Sequence, residues 1–417
     1  MDAQAEGVRR PGAFTSLRIP AFRWWFLAQT LSGSGGMAQN VGTAWLVLRL
    51  TGSGIDLGLL TAAMFTPVLL AGAWAGALLD RLDHRRALLA TNASSAAFAL
   101  VLATLTATGA IRVWMVFAIA VANGFVLAVD QPARQLYVVE LVGRERVQSA
   151  VGLFEVMINA SRVLGPGFGG AMIATLGVAA CFYANAVSFL PAVAVLLRFR
   201  PTTHAARPAV RASVREGLCY VRRTPAIVAC LVIAGASGMV FNTGVALPVL
   251  AAHTFGLGGG GYGALVATFG LGALPGGYAA ARSGGEPHGR LVRVLCILTA
   301  AAVLAVACAP HPVAGFAFMA LLGFSSIWLI ALANTLVQLQ PEPHFRGRVM
   351  GLWTTILPGL TPVTGLAAGA VTQLLGPREG FGLAGVALAA AAALGWRALG
   401  AHDDSRGDRP AAAVVTL

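Results

Sequence analysis

Apolar residues occur along this chain in long runs, and short polar segments separate these runs at regular distances. A helix needs roughly 20 residues to cross the hydrocarbon core of a bilayer, and the runs have about that length. The pattern therefore predicts an all-α membrane protein with twelve membrane-spanning helices. The predicted spans are 24–48, 57–79, 87–109, 113–131, 147–176, 179–197, 226–252, 262–282, 290–310, 312–338, 348–375 and 380–396.

The composition excludes the soluble alternatives. Hydrophobic residues make up 57% of the 417 residues and charged residues only 11%, whereas soluble domains carry about 25% charged residues. So few charges do not cover the surface of a soluble fold of this size. A soluble enzyme and a nucleic-acid-binding protein are therefore excluded, although the net charge is +13.

The chain has no lysine, and its 29 arginines lie in the terminal segments, in the short segments between the apolar runs or near the ends of these runs, except for Arg162 within span five. If both termini are cytoplasmic, 25 of the 29 arginines lie on the cytoplasmic side, and Arg49, Arg112 and Arg378 lie on the other side. Cytoplasmic loops of membrane proteins carry such an excess of basic residues. The distribution therefore indicates an even number of spans, with both termini in the cytoplasm.

A charged segment between spans six and seven divides the chain into two halves of six spans each. The predicted domains are a cytoplasmic N-terminal tail (1–23), an N-terminal six-helix bundle (24–197), a cytoplasmic linker (198–225), a C-terminal six-helix bundle (226–396) and a cytoplasmic C-terminal tail (397–417).

The two halves share a weak internal repeat at an offset of 199 residues. Gly170-Ala171 and Leu176-Gly177 match Gly369-Ala370 and Leu375-Gly376, and Gly152-Leu153 matches Gly351-Leu352 further upstream. Such repeats are typical of transporters whose substrate binds near the membrane midplane, between two rocking halves. The repeat therefore predicts pseudosymmetric bundles around a central cavity, as in a carrier.

The segment between spans two and three reads Gly76-Ala-Leu-Leu-Asp80-Arg81-Leu-Asp83-His84-Arg85-Arg86. It resembles the signature loop of the major facilitator superfamily, except that Asp83 replaces a glycine and His84 begins the basic run. Asp83 at this place is similar to the subgroup of siderophore and macrolide exporters. Further stretches that resemble this subgroup are 50–53, 130–135, 162–170 and 346–351.

The resemblance implies a gate at the signature loop. Asp80 lies at the C-terminus of span two, where a carboxylate opposes the helix dipole and needs a partner. We expect the N-terminus of span eleven, near Arg348, to supply it, with Gly76 allowing the helices to approach. Arg81, Arg85 and Arg86 suit a helix C-terminus and anionic lipid headgroups. The alternative is that these arginines only set the orientation of the spans in the membrane.

Asp130 and Arg134 lie four residues apart at the predicted cytoplasmic end of span four. They complete the gate as a charge relay with Asp80, or they form a solvated pair in a loop. Pro132 between them disturbs the regular helical spacing on which a direct ion pair depends.

Span five contains four residues that resemble the packing motif of antiporters in this superfamily: Gly165, Pro166, Gly169 and Gly170. We expect them to pack closely against span eight, which has its own glycines at 270, 272, 276 and 277. Ordinary packing of small residues is the alternative, since it needs no role in transport.

Three polar residues of span five fall on one helix face: Glu155, Asn159 and Arg162. An ionisable residue in the middle of a membrane costs about 2.5–3.5 kcal/mol, so it usually has a function or a partner. We predict that Glu155 couples transport to protons and that Arg162 tunes it. The alternatives are that Arg162 recognises an anionic or catecholate substrate, and that the residues form a structural ion pair.

Amides in spans one, four and seven are predicted to line the cavity, because these spans line it in the superfamily: Asn40, Asn123 and Asn242. The alternative for each amide is a hydrogen bond between helices.

The sequence therefore predicts a secondary transporter that exports a small amphiphilic molecule, such as a siderophore, antibiotic or secondary metabolite, by alternating access and proton antiport. An importer of a small solute is the alternative, and a non-transporting scaffold is a third. The chain has no lysine, and hence no GxxxxGK[ST] nucleotide loop. No cofactor or metal is expected, and the partners are the lipid bilayer and the substrate of a functional monomer.

Overall fold

The computed structural model describes residues 15–79, 82–143, 146–200, 214–242, 244–283 and 288–407. These residues are almost entirely helical and contain no β-strand. A 3-10 helix at Thr15–Arg18 precedes the first α-helix, and a π-helical segment at Leu250–Thr254 continues α9. The α-helices are α1 (Pro20–Thr51), α2 (Gly54–Leu79), α3 (His84–Ala107), α4 (Val113–Val142), α5 (Val147–Thr175), α6 (Val178–Arg198), α7 (Val214–Arg222), α8 (Pro225–Phe241), α9 (Ala246–Val249), α10 (Gly259–Arg282), α11 (Gly289–Ala307), α12 (Pro312–Leu339), α13 (Pro343–Leu374) and α14 (Pro377–Gly407).

Most of these helices meet the requirements of a membrane span. Within the described ranges, nine helical segments are long and apolar enough to cross a bilayer. The helices α1, α5 and α13 are 32, 29 and 32 residues long but do not belong to the nine. Their sequences carry more polar residues, as Arg162 in α5 illustrates. The all-α membrane fold is confirmed, and the count of twelve spans stays a prediction.

The two halves repeat the same set of helix contacts. In the first half, α1 packs against α5 and α6, α2 against α4, and α3 against α4 and α6. In the second half, α8 packs against α13 and α14, α10 against α12, and α11 against α12 and α14. Each contact of the first half thus has its counterpart in the second, which makes the two bundles pseudosymmetric.

The halves meet through two crosswise contacts, α2 with α13 and α5 with α10. These contacts are equivalent, because each joins the second spanning helix of one half to the fifth of the other. The internal repeat ends alike in both halves, since Gly177 and Gly376 follow α5 and α13 with φ of +86° and +124°. Glycine adopts this left-handed region without the steric cost that a Cβ would bring.

Consecutive spans run in opposite directions, so the bundle has two ends. We call the end at which α1 begins and α2 finishes the basic end, since most arginines lie there, and the other the opposite end. The described part of the linker contributes α7 to the basic end, where Tyr220 stacks on Phe345 of α13 with ring centroids 4.4 Å apart.

Two helices extend beyond the predicted spans. The helix α4 continues through Pro132 to Val142, well past residue 131. The helix α14 continues to Gly407, past residue 396, and Asp403 on its last turns accepts hydrogen bonds from the amides of Gly289 and Arg290 at 2.7 and 2.8 Å. The extension of α14 is polar, and hydropathy alone does not detect a helix that projects out of the apolar layer, whereas the extension of α4 carries Arg134, Gln135 and Glu140 among apolar residues.

Candidate functional site: a cavity between the two halves

A cavity of about 470 Å³ lies between the two halves of the bundle. Helices α1, α2, α4 and α5 line it from one half, and α8, α10 and α13 line it from the other. Most of the lining is apolar. The polar and charged side chains in it are Gln39, Asn40, Thr43, Thr61, Asn123, Arg162, Asn242, Tyr262 and Thr361.

The three amides that the sequence singles out all lie on the wall of this cavity. Two of them also bond to neighbouring helices: the Asn242 Nδ2 donates to the Thr361 carbonyl at 3.4 Å, and the Asn123 Oδ1 accepts from the Ser95 hydroxyl at 3.5 Å. Asn40 is exposed to the cavity. The two interpretations of these amides, lining and interhelical bonding, therefore apply together.

Arg162 reaches from α5 across to the second half. Its guanidinium carbon lies 5.6 Å from the centroid of the Phe241 ring, and Phe241 meets Phe269 edge-on with centroids 6.2 Å apart. A guanidinium over an aromatic face is attracted by the ring quadrupole. Glu155 and Asn159 lie on the same helix, and their side chains are outside the described part of the structure.

Close backbone contacts join the halves at the opposite end. A Cβ placed on Gly58 of α2 would lie 2.6 Å from the carbonyl oxygen of Gly365, and one on Gly369 would lie 2.7 Å from that of Gly54. The side-chain Oε1 of Gln373 also accepts a hydrogen bond from the Gly54 amide at 2.9 Å. Small residues permit this approach of α2 and α13, which closes the cavity toward the opposite end.

At the basic end, three glycines of α2, α5 and α13 have no close neighbour among the described residues at the position that a Cβ would take. A Cβ on Gly152 of α5 or on Gly351 of α13 would meet no heavy atom of the described residues within 4 Å, and the same holds for Gly72 of α2. Gly152 and Gly351 are the paired glycines of the internal repeat. The close backbone contacts that the described residues show between α2 and α13 therefore lie at the opposite end, and these three glycines take no part in such contacts.

The glycine motif of α5 divides between two neighbours, so the expectation that it packs as a whole against α10 is wrong. Gly170 contacts the backbone of Gly260 and Gly263 in α10, and Pro166 lines the cavity. Gly165 and Gly169 instead pack against Ser34, Met37 and Ala38 of α1. The reason is helical geometry, because residues four apart share a face and Gly170 lies on the next one.

The glycines of α10 also divide. Gly270 packs against the backbone of Arg162 and Val163, whereas Gly272 and Gly276 approach the backbone of α12 inside the second half. Gly277 lies nearest to Ile327 of α12. Three of the four glycines predicted to face α5 therefore pack within the second half, and the contact with α5 is made by Gly270 together with the earlier Gly260 and Gly263.

Asp130 and Arg134 form a buried ion pair inside α4, which corrects the interpretation as a solvated loop pair. The Arg134 Nε donates to Asp130, and its Nη1 donates to the side-chain oxygen of Gln29. Thr91 donates to the other oxygen of Asp130 at 2.8 Å, and Asp130 is only 6% exposed. The helix continues through Pro132, so the spacing of four residues still brings the two charges together.

The signature loop is described in part. Asp80 and Arg81 lie outside the described residues, and Gly76 lies on α2 with its surroundings outside them as well. Arg85 donates to the carbonyls of Leu196 and Leu197 at the C-terminus of α6, and Arg86 is exposed. A cation at this position suits the negative end of the helix dipole.

Two roles in this region are not among the sequence predictions. Asp83, which departs from the signature, caps α3 by accepting from the Arg86 amide at 3.0 Å. His84 donates to Glu140 of α4 at 2.7 Å. An aspartate before an apolar run is a usual N-cap signal, so the role of Asp83 was readable from the sequence. No local signal indicates the histidine contact.

These observations define a class of protein: a multi-pass helical membrane transporter with a cavity between two pseudosymmetric halves. The chain belongs to the transmembrane secretion effector family of the major facilitator superfamily, and the model of this family matches residues 11–411. This family is one of membrane transporters, so membership indicates a protein that lies in a lipid bilayer.

Curated relatives are named as transporters and exporters. The enterobactin exporter EntS of Escherichia coli is 27% identical over 387 residues, which are 90% of this chain and 89% of EntS. The multidrug efflux pump Tap of Mycolicibacterium fortuitum is 30% identical over 48% of this chain and 52% of Tap. The staphyloferrin A transporter of Staphylococcus aureus is 29% identical over 42% of this chain and 44% of its own length. The chain thus spans about half the length of the last two relatives.

Solved structures share the fold at low sequence identity. A bacterial homologue of the human lysosomal transporter Spinster, inward-facing and occupied, has a TM-score of 0.74 and 13% identity over 91% of this chain and 96% of its own. A bacterial homologue of the iron transporter ferroportin, inward-facing, has a TM-score of 0.70 and 14% identity over 91% and 98%. At this identity the comparison shows the fold alone.

Proposed function

We propose that this protein is a secondary active transporter that exports a small amphiphilic molecule by alternating access through the central cavity. One observation carries the proposal: close backbone contacts join α2 and α13 beside the cavity at the opposite end, whereas at the basic end no described residue lies close to the position that a Cβ would take on Gly152 of α5 or Gly351 of α13. Rocking of the halves about this contact would open the cavity at the opposite end and close it at the basic end. The basic end faces the cytoplasm of a bacterial inner membrane, with both termini inside, in accordance with the positive-inside rule.

Export is the direction that the relatives favour. The matching family is described as a secretion effector, and EntS and Tap are named as an exporter and an efflux pump. We infer a substrate of the siderophore, antibiotic or secondary-metabolite type, which fits a cavity with a mostly apolar wall and a few polar groups. The transporting unit is the monomer, since the cavity is built from one chain.

Proton antiport is the proposed energy source, with Glu155 as the proton carrier and Arg162 as the residue that tunes it. Glu155 lies about two turns from Arg162 on α5, and Arg162 lines the cavity. The proposed gate joins Asp80 to the start of α13, where Arg348 lies over the Phe345 ring at 5.3 Å.

Flux measurements in proteoliposomes test the proposal, with enterobactin and staphyloferrin A as probes because relatives are named for them. An antiporter accumulates its substrate in liposomes with an acidic interior, since protons leave as substrate enters. The Glu155→Gln variant is expected to lose this dependence on the gradient, whereas Glu342→Gln, at an exposed position of the basic end, retains it.

Three other outcomes would contradict parts of the proposal. Accumulation only with an alkaline interior would indicate proton symport and support the importer. Flux that ignores the gradient, or an unchanged Glu155→Gln variant, would exclude the proposed coupling. No flux of either probe would exclude both as substrates.

A further inference from the structure

A chain of hydrogen-bonded side chains connects α6 to the cavity through α1. Asn185 of α6 is only 3% exposed, and its Nδ2 donates to the side-chain Oε1 of Gln39 at 2.8 Å. The Asn185 Oδ1 in turn accepts a hydrogen bond from the Ser188 hydroxyl at 3.3 Å. None of the described residues of α6 lines the cavity, whereas Gln39 of α1 does. The polar chain therefore begins behind the cavity wall and ends on it.

A glycine of α1 lets these side chains come so close. A Cβ on Gly35 would lie 2.8 Å from the Asn185 Oδ1 and still closer to the Ser188 hydroxyl oxygen. A larger residue at position 35 would therefore push Asn185 and Ser188 away from α1. Small residues allow two membrane helices to approach in this way, and polar side chains then bond across the contact.

The bond from Asn185 fixes which edge of the Gln39 carboxamide faces the cavity. The Gln39 Oε1 is used by Asn185, and among the described residues no group accepts a hydrogen bond from the Gln39 Nε2. This nitrogen is not one of the buried polar atoms that lack a partner in the described ranges, so it reaches the open space of the cavity. An amide N–H₂ group donates hydrogen bonds and does not accept them. Gln39 therefore offers the cavity a neutral donor whose orientation is set by α6.

The surroundings of this donor suit an oxygen acceptor on a largely apolar molecule. The next residue, Asn40, is exposed to the cavity and carries a second amide. Met37, Val41 and Ala44 of the same helix line the wall beside the two amides. A hydrogen bond beside such an apolar wall is electrostatically stronger than one in water, because the local dielectric constant is lower.

We propose that Gln39 binds the substrate by donating a hydrogen bond to one of its carbonyl oxygens, and that Asn185 is the positioning residue that holds the Gln39 amide for this contact. This inference rests on the proposed function, since it names the chemical group by which the cavity recognises the exported molecule. Molecules that carry ester or amide carbonyls on an apolar frame fit this arrangement.

Titration calorimetry on the purified full chain tests the proposal, with enterobactin and staphyloferrin A as probes. Both probes carry amide carbonyls, and relatives are named for them. The parent chain is compared with Gln39→Leu, Asn185→Val and the double variant, since leucine and valine side chains form no hydrogen bonds. We expect Gln39→Leu to raise the Kd about three- to tenfold, as the loss of one hydrogen bond does. Asn185→Val should raise it about threefold, because the freed carboxamide turns away from the ligand.

The double variant separates positioning from a merely structural role of Asn185. If Asn185 acts through Gln39, the double variant has the Kd of Gln39→Leu, because the effects of two coupled residues do not add. A loss from Asn185→Val that persists in full in the Gln39→Leu background would overturn the positioning role. Gln39→Met keeps the length of the side chain without its donor and should match Gln39→Leu, which repeats the test if one variant does not fold.

The matched control is Asn334→Val. Asn334 is a partly buried amide that accepts a hydrogen bond within α12, and none of the described residues of α12 lines the cavity. The control should leave the Kd unchanged, and an equal loss in it would overturn the assignment of Gln39.

A Kd that neither Gln39 variant changes would overturn the proposal. A parent chain that binds neither probe would also overturn it, because the donor would then not select amide carbonyls. The assay does not depend on transport. Binding that requires Gln39 without flux in proteoliposomes would refute the proposed function and keep the site, and flux together with a Kd that ignores Gln39 would do the reverse.

Discussion

Replacing Gln373 by alanine removes the side chain that joins α13 to the first turn of α2 at the opposite end. The Gln373 Oε1 accepts from the Gly54 amide at 2.9 Å, and this amide is one of the N-terminal donors of α2 that have no partner within their own helix. The bond exists only while the opposite end is closed. Its loss therefore shifts the conformational equilibrium toward opening of that end.

The size of the shift follows from the energy of one hydrogen bond. Intramolecular hydrogen bonds contribute about 0.5–1.5 kcal/mol net, and those between membrane helices about 0.6 kcal/mol on average. When the opposite end opens, water accepts a hydrogen bond from the Gly54 amide in place of Gln373. The net contribution of this bond therefore lies in the lower part of the range. We expect Gln373→Ala to raise the population of the open end about threefold, whereas Gln373→Glu retains an acceptor that suits the helix N-terminus.

Distances between spin labels at Leu176 and Leu374 report this population, because both residues are exposed at the opposite end and belong to different halves. The matched control is Gln338→Ala, since Gln338 is exposed and donates a hydrogen bond to Asn334 of its own helix at 3.2 Å. An unchanged distance distribution in Gln373→Ala, or an equal change in the control, would refute the reasoning.

Three further predictions concern the packing and the ion pairs. Gly263→Ala places a Cβ against the backbone of α5 and is expected to open the opposite end in the same spin-label experiment, unlike Gly36→Ala, whose Cβ meets nothing within 4 Å. Asp130→Asn leaves the paired arginine buried and should destabilise the fold by about 3–5 kcal/mol in unfolding measurements in detergent; a loss of less than about 1 kcal/mol would show that the pair is solvated. Asp403→Ala removes the side chain that caps α11 and should lower the free energy of unfolding by about 0.5–2 kcal/mol. Asp403→Asn keeps an acceptor and should lie closer to the parent. Equal stability of the two variants would exclude capping.

The sequence by itself determined the class of fold. A long apolar run that crosses the bilayer forms a helix, because lipid offers no hydrogen-bond partners and the helix bonds every backbone N–H and C=O group within the same segment. The offset of 199 residues predicted the symmetry, and Gly170 and Gly369 do occupy equivalent contacts between the halves. The amides Asn40, Asn123 and Asn242 lie on the cavity wall because their spans surround the centre of such a bundle.

Only the tertiary structure decided which neighbour each face meets. Periodicity shows that Gly165 and Gly169 share a face, but not that this face contacts α1 rather than α10. Likewise, whether the Asp130 and Arg134 charges are buried depends on Gln29 and Thr91, which come from helices far away in the sequence. A pattern along one helix fixes which residues lie together, whereas the partner, the burial and the closed end of the cavity arise only when the helices pack.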